Sequence, residues 1–242
     1  MMKLIRKLVL SLLLVVLCSG SVWAVDFTID NTILQTEFNG IVTEAGRLTA
    51  YRSMSSAEPG GLTGFDIGVA ITGVEVDSAL WSRFIPDNED AIAVPRLMVR
   101  KGLPLNIDIG AFYADVSDYD ITMQGAEIQW AILEGTAATP ALALRGSYTE
   151  LDAAGEMEVK TTAADLVVSK GFAMLTPYAG IGTVGYEGKY TGGNPLVTLA
   201  DFDDSDTRIF AGLQFAIALL NITAEYEQME EPVYSLKLSL GW

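Results

Sequence analysis

The last nine residues, Tyr234 to Trp242, alternate without interruption. Tyr234, Leu236, Leu238, Leu240 and Trp242 fall on one face of an extended chain, and Ser235, Lys237, Ser239 and Gly241 on the other. A period of two is strand geometry, here an apolar face backed by a small or polar one. A strand of a soluble sandwich reads the same way. The repetition of this pattern upstream and the character of the chain's first residues separate the two readings.

From Leu62 onward ten segments alternate in this manner. The first sets Phe65, Ile67, Val69 and Ile71 against Asp66, Gly68 and Ala70. The fourth sets Ala126, Ile128, Trp130 and Ile132 against Glu127 and Gln129. The ninth sets Leu220, Ile222, Ala224 and Tyr226 against Asn221, Thr223 and Glu225. Segments of about ten alternating residues fit tilted membrane-crossing strands. Because no unpaired sheet edge survives in hydrocarbon, such strands close into a barrel. The expected fold is all-β, a single antiparallel up-and-down barrel over residues 62–242. Ten strands fit best, and the weak sixth, around Thr161 to Ser169, leaves eight or twelve as alternatives. Connections alternate in length, with long ones at Asp77–Asp90 and Tyr186–Asp206 and tight ones at Lys101–Pro104, Lys170–Ala173 and Leu219–Asn221. Long loops outside and tight turns inside, with an even strand count, put both barrel ends on the periplasmic side.

Residues 1–24 read as a secretory signal peptide. Lys3, Arg6 and Lys7 precede an apolar run from Leu8 to Leu17, and Val22-Trp23-Ala24 offers small residues at the cleavage positions. The run is shorter than the roughly 20 residues of a membrane-crossing helix. A lipoprotein reading centred on Cys18 is disfavoured by Leu17, which is not small. Cys18 is the only cysteine, so disulfide and thiol chemistry leave with the signal. Three of the 15 basic residues also leave, and none of the 31 acidic ones, so the remainder is more acidic than the whole-chain charge of −16. That field excludes nucleic acid as a general partner. The chain has no histidine, the usual general base near neutral pH, so a Ser-His-Asp constellation and the common histidine-containing zinc sites cannot be built. No enzymatic activity and no cofactor are expected.

Residues 25–61 differ from the rest. Leu34, Phe38, Ile41, Ala45, Leu48 and Tyr51 recur at helical spacing, with a cap region at Asn31-Thr32 and a stop at Pro59-Gly60-Gly61. This amphipathic helix of about five turns has three resting places open to it: the periplasmic membrane interface, the lumen, or the barrel rim.

The inward faces carry an ionisable residue on nearly every strand: Asp66, Arg96, Asp108, Glu127, Arg145, Asp165, Arg208, Glu225 and Lys237, with Arg100 near a turn and Tyr178 on the seventh strand. A narrow interior forces such charges to pair or to meet water. They form either a salt-bridged filling or the lining of a polar conduit or ligand site. The outer loops are acidic, including Asp87, Glu89, Asp90 and Asp118. Asp201, Asp203, Asp204 and Asp206 offer the oxygen ligands of hard cations without calcium-loop spacing, so they are a weak metal candidate beside the simpler reading of solvated loops. Phe65, Tyr113, Trp130, Tyr148, Tyr226, Tyr234 and Trp242 suit aromatic girdles. Trp81 and Phe84 stand in the first long loop, where they either touch a ligand or pack the loop.

The stretches Ala57 to Gly68, Lys101 to Tyr113 and Lys170 to Gly180 resemble a family of uncharacterised proteobacterial outer-membrane β-barrel proteins. The resemblance implies a barrel and no assigned activity. It also implies that the terminal strand, through Tyr234, Leu236, Leu238, Leu240 and Trp242, serves as an assembly signal. The expected location is the bacterial outer membrane, with lipid, lipopolysaccharide and the assembly machinery as partners, a small solute as a further candidate, and the oligomeric state open. The leading expectation is a narrow channel or small-solute barrel with a charged lumen, and the alternative is a structural or adhesive barrel with a closed, salt-bridged lumen acting through acidic loops. A membrane enzyme is a distant third, without a histidine to support it.

Overall fold

The computed structural model describes residues 27–84, 91–117 and 119–242. The signal-peptide residues 1–24 and the loop acids Asp87, Glu89, Asp90 and Asp118 lie outside the described residues. Ten antiparallel strands form one closed barrel in chain order: β1 Phe65–Glu75, β2 Ala91–Leu103, β3 Ile107–Val116, β4 Ile121–Leu133, β5 Ala141–Ala153, β6 Met157–Ser169, β7 Leu175–Tyr190, β8 Phe202–Ile217, β9 Leu220–Gln228 and β10 Pro232–Gly241. Closure runs through β1 and β10, paired from Asp66↔Gly241 to Val74↔Val233. Every strand therefore has two hydrogen-bonded neighbours, the condition for crossing a bilayer.

Alternation places the apolar positions outside. Ile67, Leu97, Ile109, Ile128, Leu144, Leu166, Ile181, Ile209 and Leu236 are exposed on the outer surface. Tyr113, Trp130, Tyr148, Tyr226, Tyr234 and Trp242 are exposed near its margins, and Phe65 packs on Trp242 with ring centroids 5.2 Å apart.

Two expectations of length are corrected. The sixth segment is a full 13-residue strand, and it excludes the eight- and twelve-stranded alternatives. The long loop expected from Tyr186 to Asp206 is about half sheet, since β7 and β8 are 16 residues each and pair as far as Gly188↔Phe202. Polar outward residues such as Glu187 and Asp203 hide these outer strand ends from a search for alternating apolar positions. The outer ends of β4 to β8 thus form a tall wall, whereas β1, β9 and β10 are 11, 9 and 10 residues long.

The helix α1, Gln35–Thr49, lies inside the barrel. Its cap falls later than Asn31-Thr32 because the Glu37 carboxylate reaches back to the Leu34 amide (2.9 Å), while Thr32 is held in a local turn by Asp30 (2.7 Å). Phe38, Ile41, Val42, Ala45 and Leu48 are buried against inward residues of the tall wall, including Leu151, Met157, Val159 and Val184. Burial of each larger side chain contributes about 1.5–3 kcal/mol. Gly46 is required by proximity, since a Cβ there would stand 2.7 Å from the Tyr186 side chain.

Upstream of α1 the chain is pinned at the outer mouth. The Thr28 amide donates to the Phe84 carbonyl (3.0 Å), and the Phe27 and Phe84 rings stack at 5.4 Å. A short helix α2, Ser78–Trp81, presents the Trp81 indole N–H to Glu44 of α1 (2.5 Å). Trp81 and Phe84 are therefore buried packing for the N-terminal segment.

Candidate functional site: the charged lumen

Downstream of α1 the chain runs through the lower lumen and joins β1 at its periplasmic end. Ala50, Tyr51, Arg52, Ser53, Met54 and Ala57 are all buried. The inward faces change character along the barrel axis. The outer half is apolar and receives α1, and the inner half carries the charges and receives this segment.

The lumenal bases point at its backbone. Arg96 donates from Nη1 to the Ala50 carbonyl (2.9 Å) and from Nη2 to that of Leu48, with its guanidinium 4.6 Å from the Phe112 ring. Arg208 Nη1 donates to the Tyr51 carbonyl (3.0 Å). Arg145 Nη2 donates to the carbonyls of Ser55 (2.6 Å) and Ser56 (3.1 Å). Lys237 Nζ lies 3.5 Å from the Ser53 carbonyl. Arg100 reaches the Ser53 and Ser55 hydroxyls. An irregular segment has no secondary structure to satisfy its carbonyls, and burying them unpaired is costly. The barrel's cations supply the missing donors.

The acids complete the network. Asp165 takes two hydrogen bonds from Arg208, at 2.7 and 2.6 Å. These two residues sit on β6 and β8, separated by β7, and Gly182 between them leaves the path open, since a Cβ there would stand 2.0 Å from Asp165 Oδ1. Asp108 accepts from Arg100 (2.8 Å) and from the Gly60 amide (2.9 Å). Glu127 accepts from the Ser53 hydroxyl (2.6 Å), and Glu225 from the Tyr178 hydroxyl (2.7 Å). Asp66 accepts from Lys237 (3.2 Å) and Ser239 (2.7 Å).

All eleven lumenal candidates named from the sequence thus face inward; nine join the network around the N-terminal segment, and Tyr178 and Glu225 pair with each other beside it. Sequence reasoning missed the network's centre. Arg52, fully enclosed, donates to Glu227 Oε1 (2.6 Å) and to the carbonyls of Arg47 (2.9 Å) and Ala50 (3.1 Å). Gln129 links to Arg145 (2.6 Å). The available signal was the short run of small polar residues, Ser53, Ser55 and Ser56, directly after an amphipathic helix.

Little space remains. Between Tyr51, Glu127, Arg145 and Glu227 there is a void of about 10 Å³, at the lower limit for one water. A wider vestibule of about 250 Å³ opens at the periplasmic end beside Asp66, Arg100, Asp108 and Lys237.

The four aspartates of the weak metal candidate are separated by strand geometry. Asp203, Asp204 and Asp206 lie on β8, where Asp203 alternates with the other two. Asp206 is occupied by Arg47 (2.7 Å) and the Tyr186 hydroxyl (3.0 Å). Among the described residues no group of three or more acids is arranged to hold a metal ion.

A closed barrel with an apolar exterior and tight turns at one end belongs in a bacterial outer membrane. This chain is an outer-membrane β-barrel. No family model matches it, and no curated protein matches it, so the resemblance noted in the sequence holds for the fold and names no family. Among solved structures, the attachment invasion locus protein Ail of Yersinia pestis is 16% identical over 74% of this chain and 95% of that one, with a TM-score of 0.32. The outer membrane protein OprG of Pseudomonas aeruginosa is 9% identical over 78% and 99%, with a TM-score of 0.38. Neisserial surface protein A is 9% identical over 74% and 94%, with a TM-score of 0.30. Superpositions this loose transfer no residue and no role.

Proposed function

We propose that this barrel is closed at rest and works as a structural or surface-acting protein, with its N-terminal segment as a permanent filling. One observation carries the reading. Arg96, Arg145, Arg208 and Lys237, the cations a selective pore would turn to passing solute, are directed at carbonyls of Leu48, Ala50, Tyr51, Ser53, Ser55 and Ser56. What remains accessible outside is the tall wall and its acids, among them Glu150, Asp152, Glu158, Glu187 and Asp203, which suit contacts with the cation-bridged lipopolysaccharide layer. Residues 1–24 act as the export signal in this reading, and the outward face of β10, from Tyr234 to Trp242, as the signal for the assembly machinery. The test is single-channel conductance of the folded protein in planar bilayers, compared with a variant lacking residues 26–56. The intact barrel should be silent and the truncated one should conduct. Steady current through intact protein would overturn the reading.

A second reading rests on the periplasmic vestibule. Its volume and the mixed charges of Asp66, Arg100, Asp108 and Lys237 suit a small polar solute bound from the periplasmic side. Calorimetric titration with zwitterionic and anionic solutes, repeated on Lys237→Met, tests it directly.

A further inference from the structure

Every turn at the periplasmic end carries an exposed large apolar side chain: Leu105 between β2 and β3, Leu133 at the end of β4, Phe172 between β6 and β7, and Leu219 between β8 and β9. Trp242 and Leu62 do the same where β10 ends and β1 begins. A single exposed leucine needs no explanation, but a complete ring of them does. Conformation adds to the case. Leu105, 81% exposed, has φ +65°, and Asn106 beside it has φ +59°. Two consecutive positive φ values in a tight hairpin favour Asn, Asp or Gly, and a leucine there is strained.

We propose that these turns are immersed in the inner leaflet, so that the hydrocarbon boundary lies at the turns themselves. The outer limit of the apolar band is fixed by Tyr113, Tyr148, Tyr226 and Tyr234. Two residues beyond the first three on the same face stand Asp115, Glu150 and Gln228, of which Asp115 and Gln228 are exposed and Glu150 is half-buried. From Tyr234 to Trp242 the chain covers roughly 26 Å along the strand, or roughly 20 Å along the axis at a tilt of about 40°. From Tyr226 to Leu219 the axial distance is roughly 18 Å by the same geometry. An outer-membrane barrel presents an apolar band of about 25 Å, so the apolar face is short of it even when measured to Trp242 and Leu219, and the turn residues themselves must lie within the band. The ring is continuous with the lipid-facing surface, which a separate protein-docking patch need not be. Charge agrees with lipid as the occupant. At this rim Glu58 and Glu134 are offset by Lys101 and Lys170, whose ammonium groups tie down turn carbonyls of Leu62 (2.5 Å) and Thr136 (2.7 Å), while the outer end is strongly acidic.

Nitroxide labels at single cysteines test the placement. Positions 105, 133 and 219 would be labelled in a Cys18→Ser background and the protein folded into phosphatidylcholine vesicles. Position 97 on the lipid face and position 196 in an outer loop serve as references. Collision with oxygen relative to a water-soluble nickel complex should match position 97 at all three turn sites. Water-like ratios at 105 and 219 would overturn the proposal and leave the ring as a surface for an apolar periplasmic protein. A second variant gives an opposite sign for the two environments. Leu105→Asn relieves the left-handed backbone in water and should raise the folded fraction there, whereas in the inner leaflet it buries an amide and should lower that fraction several-fold. A rise in the folded fraction would refute immersion.

Discussion

Arg52 holds the filling in place, and its removal gives the most informative perturbation. In Arg52→Met the side chain keeps its length and loses its charge, leaving Glu227 with Arg208 Nη1 at 3.5 Å as its remaining ion-pair partner. Breaking a buried pair by removing one partner costs about 3–5 kcal/mol. The residual Arg208 contact places this case near the lower limit, about 3 kcal/mol. Two of the freed carbonyls, Leu48 and Ala50, still accept from Arg96, but that of Arg47 loses the Arg52 donor with no replacement among the described residues and adds a modest desolvation cost. Glu227→Met alone should cost a similar amount, because it buries the Arg52 charge without its counterion. The double variant removes both charges and should lie only about 1–3 kcal/mol below wild type, from the orphaned carbonyl. The cycle therefore gives a coupling of about 3–5 kcal/mol, at or above the upper end for touching residues. Urea unfolding in phosphatidylcholine vesicles, followed by tryptophan fluorescence, reads the stability. Protease sensitivity near Arg47 and Arg52 reads release of the filling separately. An Arg52→Met variant within about 0.5 kcal/mol of wild type, a surface-like value, would refute the claim that this pair anchors the segment.

Three further expectations follow from the same geometry. Gly46→Val drives a branched side chain into Tyr186 and should destabilise the protein by about 1–3 kcal/mol, with faster hydrogen exchange along α1 than along the strands. Gly182→Val blocks the route between Arg208 and Asp165 and should cost about as much as Asp165→Asn, with the two changes strongly non-additive in the same unfolding assay. Burial raises the Glu44 carboxyl above its usual range, outweighing the hydrogen bonds from the Trp81 indole and the Asp77 amide. A raised native pKa means proton uptake on folding, so this contribution is full below the ordinary carboxyl value and is lost as pH rises through the raised one. Protection factors of the α2 loop amides, corrected for intrinsic exchange at each pH, should be lower at pH 7 than at pH 4, and Glu44→Gln should flatten that difference.

The sequence by itself determined the barrel wall. Alternation along β1 to β5, β9 and β10 fixed which side chains meet lipid, because strand geometry allows two faces and only one can be apolar in a bilayer. The same parity fixed the inward direction of Asp66, Arg96, Arg145, Arg208 and Lys237. It could not fix the extent of β7 and β8, whose outer ends leave the membrane and carry polar residues on both sides. Tertiary structure alone decided where the helix rests and what the inward charges do. Helical periodicity in residues 34–51 names an apolar face and not its partner, and lipid, lumen and rim all offer one. The lumen is chosen because its outer half is apolar, with glycine at 46 for close approach, and because its inner half holds cations that match the carbonyls of Leu48 to Ser56. Those pairings join residues 46 to 184 positions apart, which no local pattern records, so charges that read equally well as a pore lining emerge as the donors that hold the pore shut.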